Sequence, residues 1–227
     1  KLKLSIQVCL NGLSFLILNC RENQLVWYKK TTFPKEFNPV KILKEIELVY
    51  EKEESLQNPI EEVVLLFSND LYSIVPEEYF IEEEASNYLK FNTKILKTDV
   101  VVHDVIEANN LVNVYIPYTN ITNYFFDKYG EFEYKHSISV FSEAILSLEK
   151  SLLTKVYLNN YIDSYDLVIV RNGKLLLSNS FKYDSTEDFI YYLLFTLEQL
   201  KLDPSEIDLI LTGEISEESP FYQIAFT

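Results

Sequence analysis

Side chains that could do chemistry are few and dispersed in this sequence. His103 and Asp104 stand together near the end of an apolar run, and His136 lies further on. An imidazole beside a carboxylate can act as an acid/base pair. The commoner use of a histidine next to an acid at a strand end is as a surface or hydrogen-bonding group. Asp163 and Asp166 fall in a hairpin and could hold a divalent cation, although solvation of the turn explains them as well. Ser-His-Asp chemistry has no Gly-x-Ser-x-Gly elbow to stand on. Two cysteines, Cys9 and Cys20, and two histidines are too far apart for zinc-ligand spacing, so no metal is expected. The run Glu82-Glu83-Glu84 reads as a solvated helix face rather than a metal site.

Charge and composition exclude further activities. The net charge is −15, from 35 acidic against 20 basic residues, and no lysine cluster exceeds Lys29-Lys30. Such a surface repels phosphate backbones and anionic lipid, so neither nucleic acid nor membrane insertion is expected. Hydrophobic residues at 48% and charged residues at 24% describe an ordered globular chain, long enough for one large domain or two modest ones. The longest apolar stretch, 189–197, is interrupted by Thr196 and reads as a buried helix rather than a membrane span. Residues 1–18 alternate like a strand and show no signal-peptide cleavage site. A cytoplasmic protein with reduced thiols follows, with a bridge between Cys9 and Cys20 across one hairpin as the alternative. Eighteen lysines against two arginines, with abundant Asn, Ile and Tyr, suit an AT-rich bacterial genome. The absence of methionine suggests a fragment.

The elements that must position these residues form a repeated unit. Apolar runs at 4–10 and 15–18 flank Asn11-Gly12, and residues 25–28 add a third strand. Asn38 and Pro39 supply an N-cap and a first-turn proline for a helix with Ile42, Leu43, Ile46, Val49 and Tyr50 on one face. The uninterrupted apolar run 63–67 is typical of a strand buried on both faces. The order is β-β-β-α-β, and it recurs. Strands at 155–158 and 167–170, a turn at Asn172-Gly173 and a strand at 175–177 precede a helix lined by Phe189, Ile190, Leu193, Leu194, Leu197 and Leu200. Asp184 and Glu187 form a capping-box pattern ahead of that helix, and 207–211 is again a short buried strand. The turn residues Asn23 and Asn172 lie 149 positions apart, and the strand starts Val63 and Ile207 lie 144 apart. Near-constant separation marks an internal duplication. Between the copies, strands are expected at 99–106, 111–117 and 132–139, with helices at 77–89, 121–129 and 142–153.

A duplicated β-β-β-α-β unit resembles the actin-like ATPase superfamily, with its ribonuclease H-like fold and mixed sheets. The likeness is nearest to the bacterial pilus-assembly and cell-division branches. Residues 166–176 (DLVIVRNGKLL) look like their second phosphate hairpin, and 210–214 (ILTGE) like their adenosine-binding turn. More specifically, 113–118 (NVYIPY), 132–137 (FEYKHS) and the hairpin at 4–16 resemble an uncharacterised Bacteroidetes family of this fold. The resemblance covers essentially the whole chain. It implies a first lobe over 1–153 with an inserted α/β subdomain at about 71–140, and a second lobe over 154–227 that reads as truncated at its C-terminus.

Active members of that superfamily carry Asp-x-Gly in each phosphate hairpin. The Asp holds the magnesium shell, and the Gly lets backbone amides reach the phosphates. The corresponding positions here are Gln7 and Cys9 in the first copy, and Asn159 and Tyr161 in the second. The adenosine turn keeps Gly213, but its second glycine is Glu214. Residues 4–18 contain no carboxylate for nuclease-type metal chemistry, and four glycines cannot supply two phosphate loops and a base-binding turn. The expectation is a protein without cofactor or catalysis, its nucleotide motifs degenerate, acting as a protein-binding scaffold. The alternatives are an ATP-dependent switch in which Asp163, Asp166 or Glu214 takes over metal duty, and a small-molecule sensor. The 17 tyrosines and 15 phenylalanines are mainly core, with some left for a partner surface.

Overall fold

The computed structural model describes residues 1–90 and 94–226. They form two compact units, Lys1–Ile106 with Asn110–Val140, and Glu107–Asn109 with Phe141–Thr227.

The first unit begins with β1 (Leu2–Cys9), β2 (Gly12–Asn19), β3 (Gln24–Thr32), α1 (Pro39–Lys52) and β4 (Glu62–Ser68). Strand alternation sends Leu4, Ile6, Val8, Phe15, Ile17, Leu65 and Phe67 into a core where each is fully buried. Each such side chain contributes about 1.5–3 kcal/mol. The expected N-cap forms: Asn38 Oδ1 accepts from the Lys41 amide at 2.9 Å, with Pro39 in the first turn. Tyr50 of α1 then meets Phe15 edge-on at 6.4 Å. The chain continues through β5 (Tyr72–Pro76), α2 (Ala85–Leu89), β6 (Val102–Ile106), β7 (Leu111–Tyr115), α3 (Thr119–Tyr129) and β8 (Glu133–His136). The main sheet has the order β3-β2-β1-β4-β8, with β1, β4 and β8 parallel; β5-β7-β6 is a separate antiparallel sheet. Gly130, at φ +74°, ends α3 as expected.

The chain enters the second unit along α4 (Ser137–Leu148). There follow β9 (Lys155–Asn160), β10 (Ser164–Arg171), β11 (Lys174–Lys182), α5 (Thr186–Gln199), β12 (Asp208–Gly213) and α6 (Pro220–Ala225). The sheet order is β11-β10-β9-β12, with β9 and β12 parallel. Val156, Leu158, Tyr165, Leu167, Ile169, Phe189, Leu193 and Leu197 form its core. Both copies turn their second hairpin on an asparagine at positive φ, +49° at Asn23 and +54° at Asn172. The duplicated β-β-β-α-β order read from the sequence is present in full.

Several local expectations need correction. The helix expected over 77–89 is broken into 3₁₀ turns at Glu77–Tyr79 and Glu82–Glu84, and only Ala85–Leu89 is α-helical. Carboxylates at Glu78 and Glu82 would repel one turn apart. Tyr88 secures the irregular path instead, donating to Tyr79 O at 2.6 Å and accepting from the Ile81 amide at 3.0 Å. Strand β5, too short and mixed to read from periodicity, is added by pairing with β7. Helix α4 starts at Ser137 rather than 142, because β8 stops where Asp104 Oδ2 takes the His136 amide at 2.8 Å. The cap of α5 is Ser185, which accepts from the Asp188 amide at 3.1 Å, and not the Asp184/Glu187 box. Strand β12, expected buried on both faces, is only half-buried along its length.

The thiols cannot bridge. Cys9 faces Gly12 at the turn end of the β1–β2 hairpin, whereas Cys20 follows Asn19 at the open end, where Asn19 faces Leu2. Seven residue steps separate the two ends, about 23 Å of strand.

Candidate functional site

Strand register shows which residues of the two copies correspond. Lys3 lies opposite Glu62 and Lys155 opposite Asp208. Four residues further on, Gln7 faces Leu66 and Ser14, while Asn159 faces Thr212 and Asp166. Gln7 and Asn159 therefore hold the same place in their sheets, and Cys9 and Tyr161 follow two residues later. The only cross-strand carboxylate at this level is Asp166, in the second copy.

In the first copy a two-residue turn, Leu10-Asn11, closes the hairpin. Leu10 O accepts from the Phe37 amide at 2.7 Å and Asn11 O from the Phe33 amide at 2.8 Å. The Phe33 and Phe37 rings stack at 4.5 Å, and Lys41 Nζ sits 3.4 Å above Phe37. Gln7 Nε2 lies 3.9 Å from Cys9 Sγ. Gly12 is required by closeness rather than by φ, since a Cβ there would meet Thr31 O at 2.8 Å.

The second copy brings Asn159, Tyr161, Gly213 and Glu214 together with four residues the sequence reading did not place there: Asn160, Ser180, Tyr183 and Thr212. Asn159 Nδ2 donates to the Tyr161 hydroxyl at 2.9 Å, which in turn donates to Asp166 Oδ2 at 2.8 Å. Ser180 Oγ donates to Asp166 Oδ1 at 2.5 Å, and Thr212 Oγ1 to Asn159 Oδ1 at 3.2 Å. Asp166 is 6% exposed, so it is not the solvated turn residue expected. Burial pushes its carboxyl up to about 6, and the hydroxyl donors only partly offset this.

Backbone groups of the hairpin are also occupied. The Tyr161 amide donates to Ser164 O and the Glu214 amide to Asn160 O, both at 2.8 Å. Asn160 Nδ2 donates to Glu214 O at 2.8 Å, and the Tyr183 hydroxyl donates to Asn160 Oδ1 at 2.9 Å. Gly213 has φ +82°, and a Cβ would fall 2.3 Å from Asn160 O and 2.6 Å from Asn159 Oδ1. Its retention is explained by this packing alone. A signal for Asn160 existed, a second amide side chain closing an apolar strand; Ser180 and Tyr183 lie too far along the chain to be paired with it by spacing.

The other candidate, in the first unit, is dispersed by strand alternation. Asp104 and His103 point to opposite faces of β6. His103 packs on Phe80 with centroids 4.8 Å apart, while Asp104 Oδ1 accepts from the Tyr115 hydroxyl at 3.1 Å. His136 is 1% exposed, between Tyr72 and Tyr115. Its Nε2 lies 3.1 Å from Asn69 O and its Nδ1 accepts from the Ile138 amide at 3.2 Å, an arrangement that suits the neutral ring. Burial lowers its pKa to about 3. These histidines are structural, not an acid/base pair. Among the described residues no group of three or more His, Cys, Asp or Glu could hold a metal, and no helix is long and apolar enough to cross a membrane.

Comparison with known proteins agrees with this geometry. A family model described as "Protein of unknown function (DUF3822)" matches residues 1–227. The crystal structure of a Bacteroides thetaiotaomicron protein with actin-like ATPase fold and unknown function superposes with a TM-score of 0.86 at 23% identity, covering 98% of this chain and 86% of that one. A chain of the PilM-PilN type IV pilus biogenesis complex matches with a TM-score of 0.50 at 15% identity, over 88% of this chain and 66% of that one. No protein of curated function matches. At these identities the likeness shows the fold, which is the actin-like ATPase fold.

Proposed function

The chain belongs to the DUF3822 family of proteins of unknown function, and we propose that it acts as a non-catalytic, protein-binding scaffold built on an actin-like body. One observation carries this reading: where a phosphate hairpin needs a magnesium-binding carboxylate and bare backbone, Tyr161 closes onto Asn159 and Asp166. The amides of Tyr161 and Glu214 are spent on neighbouring carbonyls, and so are not available to cradle phosphate. Both oxygens of Asp166 accept from hydroxyls, which leaves the switch alternative without its best-placed metal ligand. A chain of this fold in the PilM-PilN complex makes protein binding a reasonable use for such a body. The surface charge of −15 directs the expectation to protein partners rather than nucleic acid. Calorimetric titration with ATP and magnesium tests the reading. The expected result is no heat of binding at millimolar ligand, and a magnesium-dependent micromolar affinity sinks it.

A further inference from the structure

The two copies differ at one sheet edge. In the first unit β4 is flanked on both sides, by β1 and by β8. In the second unit its counterpart β12 pairs with β9 only, and among the described residues no strand lies on its other side. The half-burial of Leu209, Ile210 and Leu211 follows, whereas Val63, Leu65 and Phe67 of β4 are buried. The direction of the free groups can be read from the ladder. Asp208 and Glu214 turn their amides toward β9, donating to Thr154 O and Asn160 O. By alternation Leu209, Leu211 and Gly213 turn their backbone groups outward.

We propose that this edge is the docking site of the scaffold, and that it takes an extended, lysine- or arginine-flanked apolar segment of a protein partner as a fifth, parallel strand. The inference rests on the scaffold reading and names the partner's chemistry. The first unit supplies the template: β8 runs parallel to β4 and sets Tyr134 opposite Leu65, so the incoming strand places a large apolar side chain opposite Leu211. Charge selects the flanks. From position 201 onward the chain carries six carboxylates (Asp203, Glu206, Asp208, Glu214, Glu217 and Glu218) and a single cation, Lys201. These bracket both ends of β12. Strand addition of this kind derives affinity from main-chain hydrogen bonds and specificity from alternate side chains. An open edge that is not blocked by lysine or proline is suited to it, and β12 holds neither.

The test uses the full chain and a synthetic peptide in which threonine alternates with valine and tyrosine between paired lysines. Amide exchange by NMR is expected to be fast at Leu209 and Leu211 in the free protein. The lysine-flanked peptide should slow it by about tenfold or more, a glutamate-flanked version should not, and replacing Asp208, Glu217 and Glu218 together by lysine should weaken binding about tenfold. Slow exchange at both amides in the free monomer overturns the proposal, because the edge is then already covered. Protection that arises only as the protein self-associates in sedimentation also overturns it, with a second copy as occupant, as does peptide binding without protection. A magnesium-ATP titration of the same sample separates the two readings. Nucleotide binding defeats the scaffold, while its absence together with unprotected amides defeats only the strand site.

Discussion

The Tyr161 hydroxyl donates to Asp166 across the β9–β10 hairpin at 2.8 Å, and Asp166 has no cation among its hydrogen-bond partners, only the hydroxyls of Tyr161 and Ser180. A buried carboxylate held by neutral donors is costly to ionise, and each donor lost leaves it worse compensated.

Replacing Tyr161 by phenylalanine removes that donor while keeping the ring. The expected cost is about 1–3 kcal/mol of stability in the second unit. Urea denaturation followed by near-ultraviolet circular dichroism measures it. In a double-mutant cycle with Asp166→Asn the two costs should not add, because both substitutions break one bond.

The raised pKa of Asp166 has a defined sign. Its folded value is about 6 against an ordinary 3.8, so the folded state holds the proton more tightly. Its stabilising effect is full below pH 3.8 and is lost as pH rises through 6, about 3 kcal/mol in all. Asp166→Asn should flatten this slope. An unchanged pH profile between 4 and 6 in the variant contradicts the assignment.

His136 works in the opposite sense. Its folded value near 3 lies below the ordinary 6.5, so the stability it protects is full above pH 6.5 and drains as pH falls toward 3. The loss is about 5 kcal/mol at most. Trp27, the only tryptophan, lies in the first unit and reports its unfolding by fluorescence. Acid unfolding seen by that probe should shift to lower pH in His136→Gln.

Gly213→Ala places a methyl 2.3 Å from Asn160 O at a left-handed φ. The expected destabilisation exceeds about 2 kcal/mol, read as a lowered Tm. A neutral substitution would mean that the Asn160–Glu214 pairing can open.

Both cysteines should react as free thiols in the native protein, Cys20 faster than half-buried Cys9. Non-reducing mass spectrometry that finds a bridge would require the β1–β2 hairpin to be misregistered.

Much of the architecture was legible because it rests on short-range rules. Asn11-Gly12, Asn38-Pro39 and Asn172-Gly173 act within a few residues, and alternation in 63–67 and periodicity in 189–197 need no partner to be seen. The duplication was legible for the same reason, as the same order of such signals met twice. The failures were all cases where a distant residue decides. Glu77 to Leu89 has helical composition, yet its like charges and the Tyr88 hydroxyl settle it as turns. Asp166 looks like a turn carboxylate until Ser180, fourteen residues away, and Tyr161 enclose it.

By itself, then, the sequence settled the order of elements, the repeat and the chemical identity of Gln7, Cys9, Asn159 and Tyr161 at the hairpins, because composition and local spacing carry those. Only the tertiary structure decided that Asn159, Tyr161, Asp166 and Ser180 form one closed network, that His103 and Asp104 face apart, and that β12 has an open side. Each of these depends on which strands lie side by side, and strand pairing is fixed by packing across long stretches of chain that no local pattern encodes.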